Sequence, residues 1–274
     1  MSDNRKFLVE TSAVLPAIGQ STPKHLQAFR DQLDGGALYT SVYIRMEFVR
    51  RWICDIIRIS LRVAQCSTID HALTLLSQSF SPREVKADLV AIGSWLRRIG
   101  AIQNGNTQLA AKQLGELAVS WIDTFDDVFS SRINNVSKCK VGGRPLDVAF
   151  DSLLDSLHEF YEGFQEPVTD CEVNSFLQIS KDNGRAGKLL QDAAVAAMPV
   201  GKQLHKLLEE SAFITCKECA RIGDVVIAME QPASLCLVHT DSAFNELCRV
   251  RDRPHVQLVS VTGAEKNTGS IDNA

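Results

Sequence analysis

The chain has 274 residues, 45% hydrophobic and 23% charged, with a formal net charge of −4. That length and apolar content supply one large core and exclude a chain disordered throughout. The acidic balance excludes a general basic nucleic-acid coat, so any nucleic-acid contact needs a local patch or a metal.

Charge interrupts the apolar stretches well before the ~20 residues of a membrane span, and the N-terminus carries no signal-peptide pattern. The expectation is a cytoplasmic protein with no membrane partner, its eight cysteines mostly thiols. The first predicted element is a short strand, "KFLVE", which ends on a carboxylate, Glu10, followed by Thr11 and Ser12. Residues 12–33 read as helical, limited by Pro16 and Pro23, and Gly35-Gly36 signals a turn. "ALYTS" is a second strand whose Ser41 can cap the next helix. From Val42 to about Ala64 a long helix is predicted, with Ile44, Phe48, Trp52, Ile56 and Ile59 in one apolar stripe. Glu47, Arg51, Arg58 and Arg62 fall on another face, where Glu47 and Arg51 form an i,i+4 pair.

Residues 65–212 change in texture and read as helical without convincing strands. Ser81, Pro82 and Glu84 form a capping box with proline at the first helical position. "NGN" at 104–106 is a turn before another helix, and "NNVSKCKVGGRP" is a loop whose Lys138, Lys140 and Arg144 are a candidate RNA-backbone contact or simply a mobile basic loop. A further amphipathic helix runs through "LDVAFDSLLDSLHEFYEGF". Helices at 185–197 and 201–211 follow Gly184 and Pro199. Alternation then returns: a helix holding Asp224 in its first turn, the strand "SLCLVHT" followed directly by Asp241, a short helix, and a last strand "HVQLVSV". The predicted organisation is one α/β domain, residues 1–64 and 213–262, interrupted by an all-helical insertion over 65–212, with a disordered tail at 263–274.

If both ends share a mostly parallel sheet, Glu10, Glu47, Asp224 and Asp241 converge at the carboxyl edge, where open α/β sheets carry their sites. Unpaired, four carboxylates there raise one another's pKa values. Hard divalent cations, Mg²⁺ or Mn²⁺, resolve that conflict with oxygen ligands and bring phosphate chemistry with them. Three of the acids also have a plainer reading: a solvated strand end for Glu10, a surface pair with Arg51 for Glu47, a helix-dipole acid for Asp224. Arg51, Arg58 and Arg62 are candidate phosphate contacts or a solvated helix face. Cys216-x-x-Cys219 lacks the second ligand pair a structural zinc needs. The histidines show no ligand spacing, and His239, alternating with Thr240, points to the other sheet face. Nucleotide-loop glycine motifs are absent.

Four pieces, "FLVETSAVL", "YTSVYIRMEFVRR", "IGDVVIAMEQ" and "LVHTDSAFNEL", resemble those of the PIN-domain nucleases in the same order. The likeness covers roughly residues 6–60 and 213–262. It implies a three-layer PIN-like α/β fold and a Mg²⁺/Mn²⁺-dependent endonuclease, acting on RNA more often than DNA. By the same resemblance Glu10, Glu47, Asp224 and Asp241 are catalytic metal ligands, Thr11, Ser12 and Thr240 support them, and Phe244 packs beneath the last acid. Glu10 departs from the family's usual Asp, and its extra methylene moves the carboxylate by about 1–1.5 Å. A PIN-like scaffold that binds RNA or protein without cutting is the alternative, and a helical interaction protein on an unrelated α/β base is a third reading. The insertion is expected to shape access, bind a protein partner or support a homo-oligomer.

Overall fold

The computed structural model describes residues 5–19, 23–79, 105–133, 139, 153–165, 173, 176–177, 184–210, 219 and 221–258. The predicted capping box at 81–84, the basic loop with Lys138, Lys140 and Arg144, Cys216 and the tail at 263–274 lie outside them.

Two apolar runs, one from each end of the chain, lie side by side. Strand β1 (Lys6–Val9) pairs in parallel with β4 (Cys236–His239), Leu8 opposite Leu237, and on its other flank with β2 (Ala37–Ser41). The predicted union of the two ends in one α/β sheet is therefore present. The described strands form one five-stranded sheet in the order β3-β2-β1-β4-β5, with every pairing parallel. Strand order reverses direction between β1 and β4, and such a switch point is where an open parallel sheet leaves a crevice beyond its carboxyl ends.

The edge strand β3 (Ser131–Ile133) corrects the expectation of an all-helical insertion, because it pairs with β2 from within residues 65–212. Its three residues carry too little periodicity to register as a strand. The sheet takes them up because Arg45, buried on the helix after β2, holds Asp126 bidentately at 2.8–3.2 Å, and Arg132 of β3 holds the same carboxylate at 2.9 Å. The last strand, β5, spans His255–Gln257, and residues 259–261 of its predicted run lie outside the described residues.

Helix α1 (Thr11–Gly19) starts directly after Glu10, and α2 (Pro23–Gln32) leads to a turn in which Gly35 takes a positive φ of 67°. Ser41 caps α3 (Val42–Phe48) by accepting the Ile44 N–H at 3.0 Å, as the sequence suggested. The single long helix predicted here carries a defect. A π-helical segment, Val49–Ile53, separates α3 from α4 (Cys54–Ala64). The extra residue rotates the buried stripe, so Phe48 is followed by Ile53, both 0% exposed, and Trp52 is only half-buried. Such bulges recur at functional sites, and this one begins two residues after Glu47.

Next come α5 (Ile69–Ser79) and α6 (Thr107–Val128), the latter capped by Asn106. Helix α6 lies along α4, joined by a bond from the Ser60 hydroxyl to the Ala111 carbonyl at 2.6 Å and by stacked Phe48 and Phe125 rings at 4.4 Å. Helix α7 (Leu153–Gln165) packs on both. The predicted helix 185–197 is two helices, α8 (Arg185–Gln191) and α9 (Ala193–Ala197). Asp192 between them is extended and caps α9 through the N–H groups of Ala194 and Val195. Pro199 opens α10 (Pro199–Glu210). Then come α11 (Gly223–Glu230) and α12 (Ala243–Arg251). No described helix is long and apolar enough to cross a membrane.

Candidate functional site

Strand β1 ends at Val9, and its ladder continues one step as the Glu10 N–H donates to the Val238 carbonyl at 2.9 Å. That bond fixes Glu10 at the switch point beside the end of β4, where Thr240 and Asp241 follow His239. Glu10 is buried, and both its oxygens are engaged by Ser12: the main-chain N–H at 2.9 Å and the hydroxyl at 2.5 Å. The Ser12 hydroxyl also meets Thr240 Oγ1 at 2.5 Å, which ties the end of β1 to the end of β4.

Glu47 comes from the next helix over. Its Oε2 accepts the Thr11 hydroxyl at 3.0 Å, and no ion pair with Arg51 forms among the described residues, so the surface-pair reading of Glu47 is corrected. Asp224 sits in the first turn of α11, half-buried, and Asp241 is exposed, its Oδ1 accepting the Ala243 N–H at 2.8 Å.

These acids feel one another. Burial first, then the charges of Glu10 and Asp224, raise Glu47 to about 7. Burial, Asp241 and Glu10 raise Asp224 to about 6. Burial and, more weakly, Asp241 raise Glu10, against the lowering effect of the Ser12 hydrogen bonds. Four acidic side chains from four elements therefore share one electrostatic environment at the carboxyl edge. No family model, curated protein or solved structure matches the chain.

Among the described residues, no group of three or more His, Cys, Asp or Glu side chains stands close enough to form a ready-made metal cage. The donor chemistry nonetheless suits a hard cation. All four groups are carboxylates, their charge is offset in part by Arg51, and Mg²⁺ binds commonly through one or two carboxylates while keeping several waters. Asp224 and Asp241 make no ion pair among the described residues and would be the first ligands. Glu10 would have to share with Ser12, and Glu47 with Thr11.

The predicted arginines separate. Arg51 lies near the acids, for its charge lowers both Glu47 and Asp224, and its guanidinium stacks over Trp52 at 5.3 Å. Arg58 is paired instead with Asp55 at 2.9 Å. A cleft of about 250 Å³ opens beside Glu47, lined by Tyr43, Met46, Glu47, Arg50, Arg51 and Asp55. His239 is fully buried against Phe244 and His255, and burial followed by the charge of His255 lowers it to about 4. It is a neutral core residue there, and Phe244 is buried beneath the β4 end as expected.

Three contributors were missed. The buried Tyr43 donates its hydroxyl to the Cys219 carbonyl at 2.8 Å, which fastens α3 to the segment before α11. At Gly223 an added Cβ would stand 3.2 Å from Glu47 Oε1 and 3.3 Å from the Tyr43 hydroxyl, so glycine lets α11 approach the acid closely. Tyr43 lies four residues before Glu47 on the same helix, a spacing that could have flagged it. Gly223 and Cys219 carried no comparable signal.

Proposed function

We propose that the chain is a metal-dependent phosphodiester hydrolase of PIN type, with RNA as its substrate class. One observation carries the reading. Acids more than two hundred residues apart in sequence, Glu10 and Asp241, flank the switch point of a parallel sheet, with Glu47 and Asp224 coupled to them through charge. Burial and then the acids' own charges raise their pKa values, an environment that favours a bound cation, and such clusters mark functional sites.

When bound, Mg²⁺ or Mn²⁺ would supply an activated water and balance charge on the attacking and leaving oxygens. The chain's own residues do the holding. Asp224 and Asp241 present carboxylates, Thr11 and Ser12 fix the orientation of Glu47 and Glu10, and Arg51 offers a guanidinium to a substrate phosphate at the mouth of the cleft.

The alternative is a PIN-like scaffold that binds RNA or a protein partner without cutting it. The engagement of both Glu10 oxygens by Ser12 favours that alternative, since a carboxylate held twice is a poorer ligand. Incubation with structured and unstructured RNA plus Mn²⁺, beside Asp241→Asn and Glu10→Gln variants, separates the two. Cleavage by wild type that both variants lose supports hydrolysis. Binding without cleavage supports the scaffold, and variants that cut as well as wild type refute the catalytic site.

A further inference from the structure

At the sheet edge opposite the acids, a second set of charges meets no counter-charge among the described residues. The acidic groups follow the carboxyl ends of β1 and β4, whereas α12 carries the chain back for nine residues, about 13 Å, to the amino end of β5. There Arg251 ends the helix, Asp252 turns the chain with a φ of 50°, and Arg253 precedes Pro254 and β5. Helix α8 packs on α12, and Arg185, its first residue, stands near enough for its charge to act on Arg251.

The backbone around these arginines is firmly placed. The Asp252 N–H donates to the Arg249 carbonyl at 3.1 Å and the Arg253 N–H to the Cys248 carbonyl at 2.9 Å. The Gln231 side-chain amide donates to the Pro254 carbonyl at 2.7 Å. Main-chain donors thus already meet carbonyls at the end of α12, and the guanidinium groups are not needed there as caps.

Nor do neighbouring acids among the described residues neutralise them. Asp192 and Glu246 are both taken by Arg249, at 2.8 and 2.7 Å. Arg185, Arg251, Arg253 and Asp252 make no ion pair among the described residues. Arg251 Nη1 and Arg253 Nε are buried without a hydrogen-bond partner, a costly state for a charged donor. Burial first, then the charges of Arg253 and Arg185, pull Arg251 down to about 10, so both neighbouring charges act against that of Arg251.

We infer that Arg185, Arg251 and Arg253 form an anion site for a phosphate group, on the edge of the sheet opposite the acidic cluster. Idle donors on Arg251 and Arg253, with the exposed charge of Arg185 beside them, match the several oxygens of a phosphate. A phosphate's charge of about −1.5 to −2 also offsets more of the repulsion than a single carboxylate would. The inference does not depend on the reading of the acidic edge. The phosphate belongs either to a small phosphorylated molecule or to a nucleic-acid backbone, and the chemistry of the site is common to both.

The test is calorimetric titration of the full chain with pyrophosphate and with inorganic phosphate, in EDTA so that no metal brings phosphate to the acids. Wild type is expected to bind saturably at one site. Arg185→Gln, exposed and therefore no threat to folding, should weaken binding about tenfold, the loss of one charge-assisted contact. Arg251→Gln should weaken it further, and Asp241→Asn should leave it unchanged. Competition by a short single-stranded RNA that Arg251→Gln abolishes would identify the phosphate as backbone. Binding without such competition would identify a free phosphorylated ligand. No saturable binding by wild type, or equal binding by Arg185→Gln, would overturn the inference, and Arg185→Gln decides alone if Arg251→Gln does not fold.

Discussion

The Thr11 hydroxyl donates to Glu47 Oε2 at 3.0 Å, and this bond joins the first residue after the β1 acid to the helix that follows β2. Thr11 is buried and is the one hydroxyl on Glu47 among the described side chains. Thr11→Val keeps the shape and removes the donor. The variant should lose about 1 kcal/mol of stability at pH 8, where Glu47 is ionised, and less at pH 5, where it is protonated. Urea unfolding at the two pH values measures this. An equal loss at both would mean that the bond does not serve the charged form.

Glu47 itself should make the metal-free chain less stable at high pH. Its folded pKa, about 7, lies above the ordinary 4.5, so the folded state holds the proton more tightly. The stabilisation is complete below pH 4.5 and is lost as pH rises through 7. Asp224 and Glu10, also raised, act in the same direction. His239, lowered to about 4, acts oppositely and costs stability as pH falls from 6.5. A difference curve between wild type and Glu47→Gln removes the histidine's contribution. In EDTA the two should be similar at pH 4.5, and Glu47→Gln should be the more stable above pH 7, by about 2–3 kcal/mol. A flat difference curve would refute the strained carboxylate.

A cation that fills the acidic edge should offset much of that pH trend. Mn²⁺ at a hundredfold excess over its Kd adds about 2.7 kcal/mol, a rise in Tm of several degrees for a chain of this size. The rise should be full at pH 8 and much smaller at pH 5.5, where protons occupy Glu47 and Asp224. Asp224→Asn should lose it. Thermal melts with Mn²⁺, Mg²⁺ and EDTA read the effect, and an equal rise in Asp224→Asn would place the cation elsewhere.

The parallel sheet was legible because β1, β2 and β4 are apolar runs that each lead into polar residues, and Glu10, Asp224 and Asp241 were legible because each stands at an element end, whereas Glu47 was read within a longer helix. The defect at Val49–Ile53 was not, since apolar residues crowd both candidate stripes and only the three-dimensional packing, in which Phe48 stacks on Phe125, selects Ile53 over Trp52 for the core. Strand β3 was hidden for a related reason: its place depends on Arg45 and Arg132 sharing Asp126, a contact between distant residues with no local pattern. The fixing of Glu10 by Ser12 was likewise a matter of rotamer. The sequence showed a hydroxyl two residues away, and only the geometry shows both carboxylate oxygens engaged. Arg251 and Arg253 drew no notice, because two arginines near a helix end are ordinary until their partners are seen to be taken.

Arg51 and Arg58, equivalent on a helical wheel, should separate in experiment. The charge of Arg51 lowers Glu47 and Asp224, and its side chain lines the cleft beside Glu47, while Arg58 is held by Asp55. Arg51→Gln should therefore raise the pKa of Glu47, move the midpoint of the stability–pH difference curve upward, and weaken RNA binding in low salt by about tenfold, the loss of one charged phosphate contact. Arg58→Gln breaks a surface pair worth under about 1 kcal/mol and should leave both readouts near wild type. Fluorescence anisotropy with a labelled oligoribonucleotide in EDTA isolates binding from cleavage. If the two variants weaken binding equally, the helix presents a general basic face to RNA and the cleft at Glu47 has no special part in recognition.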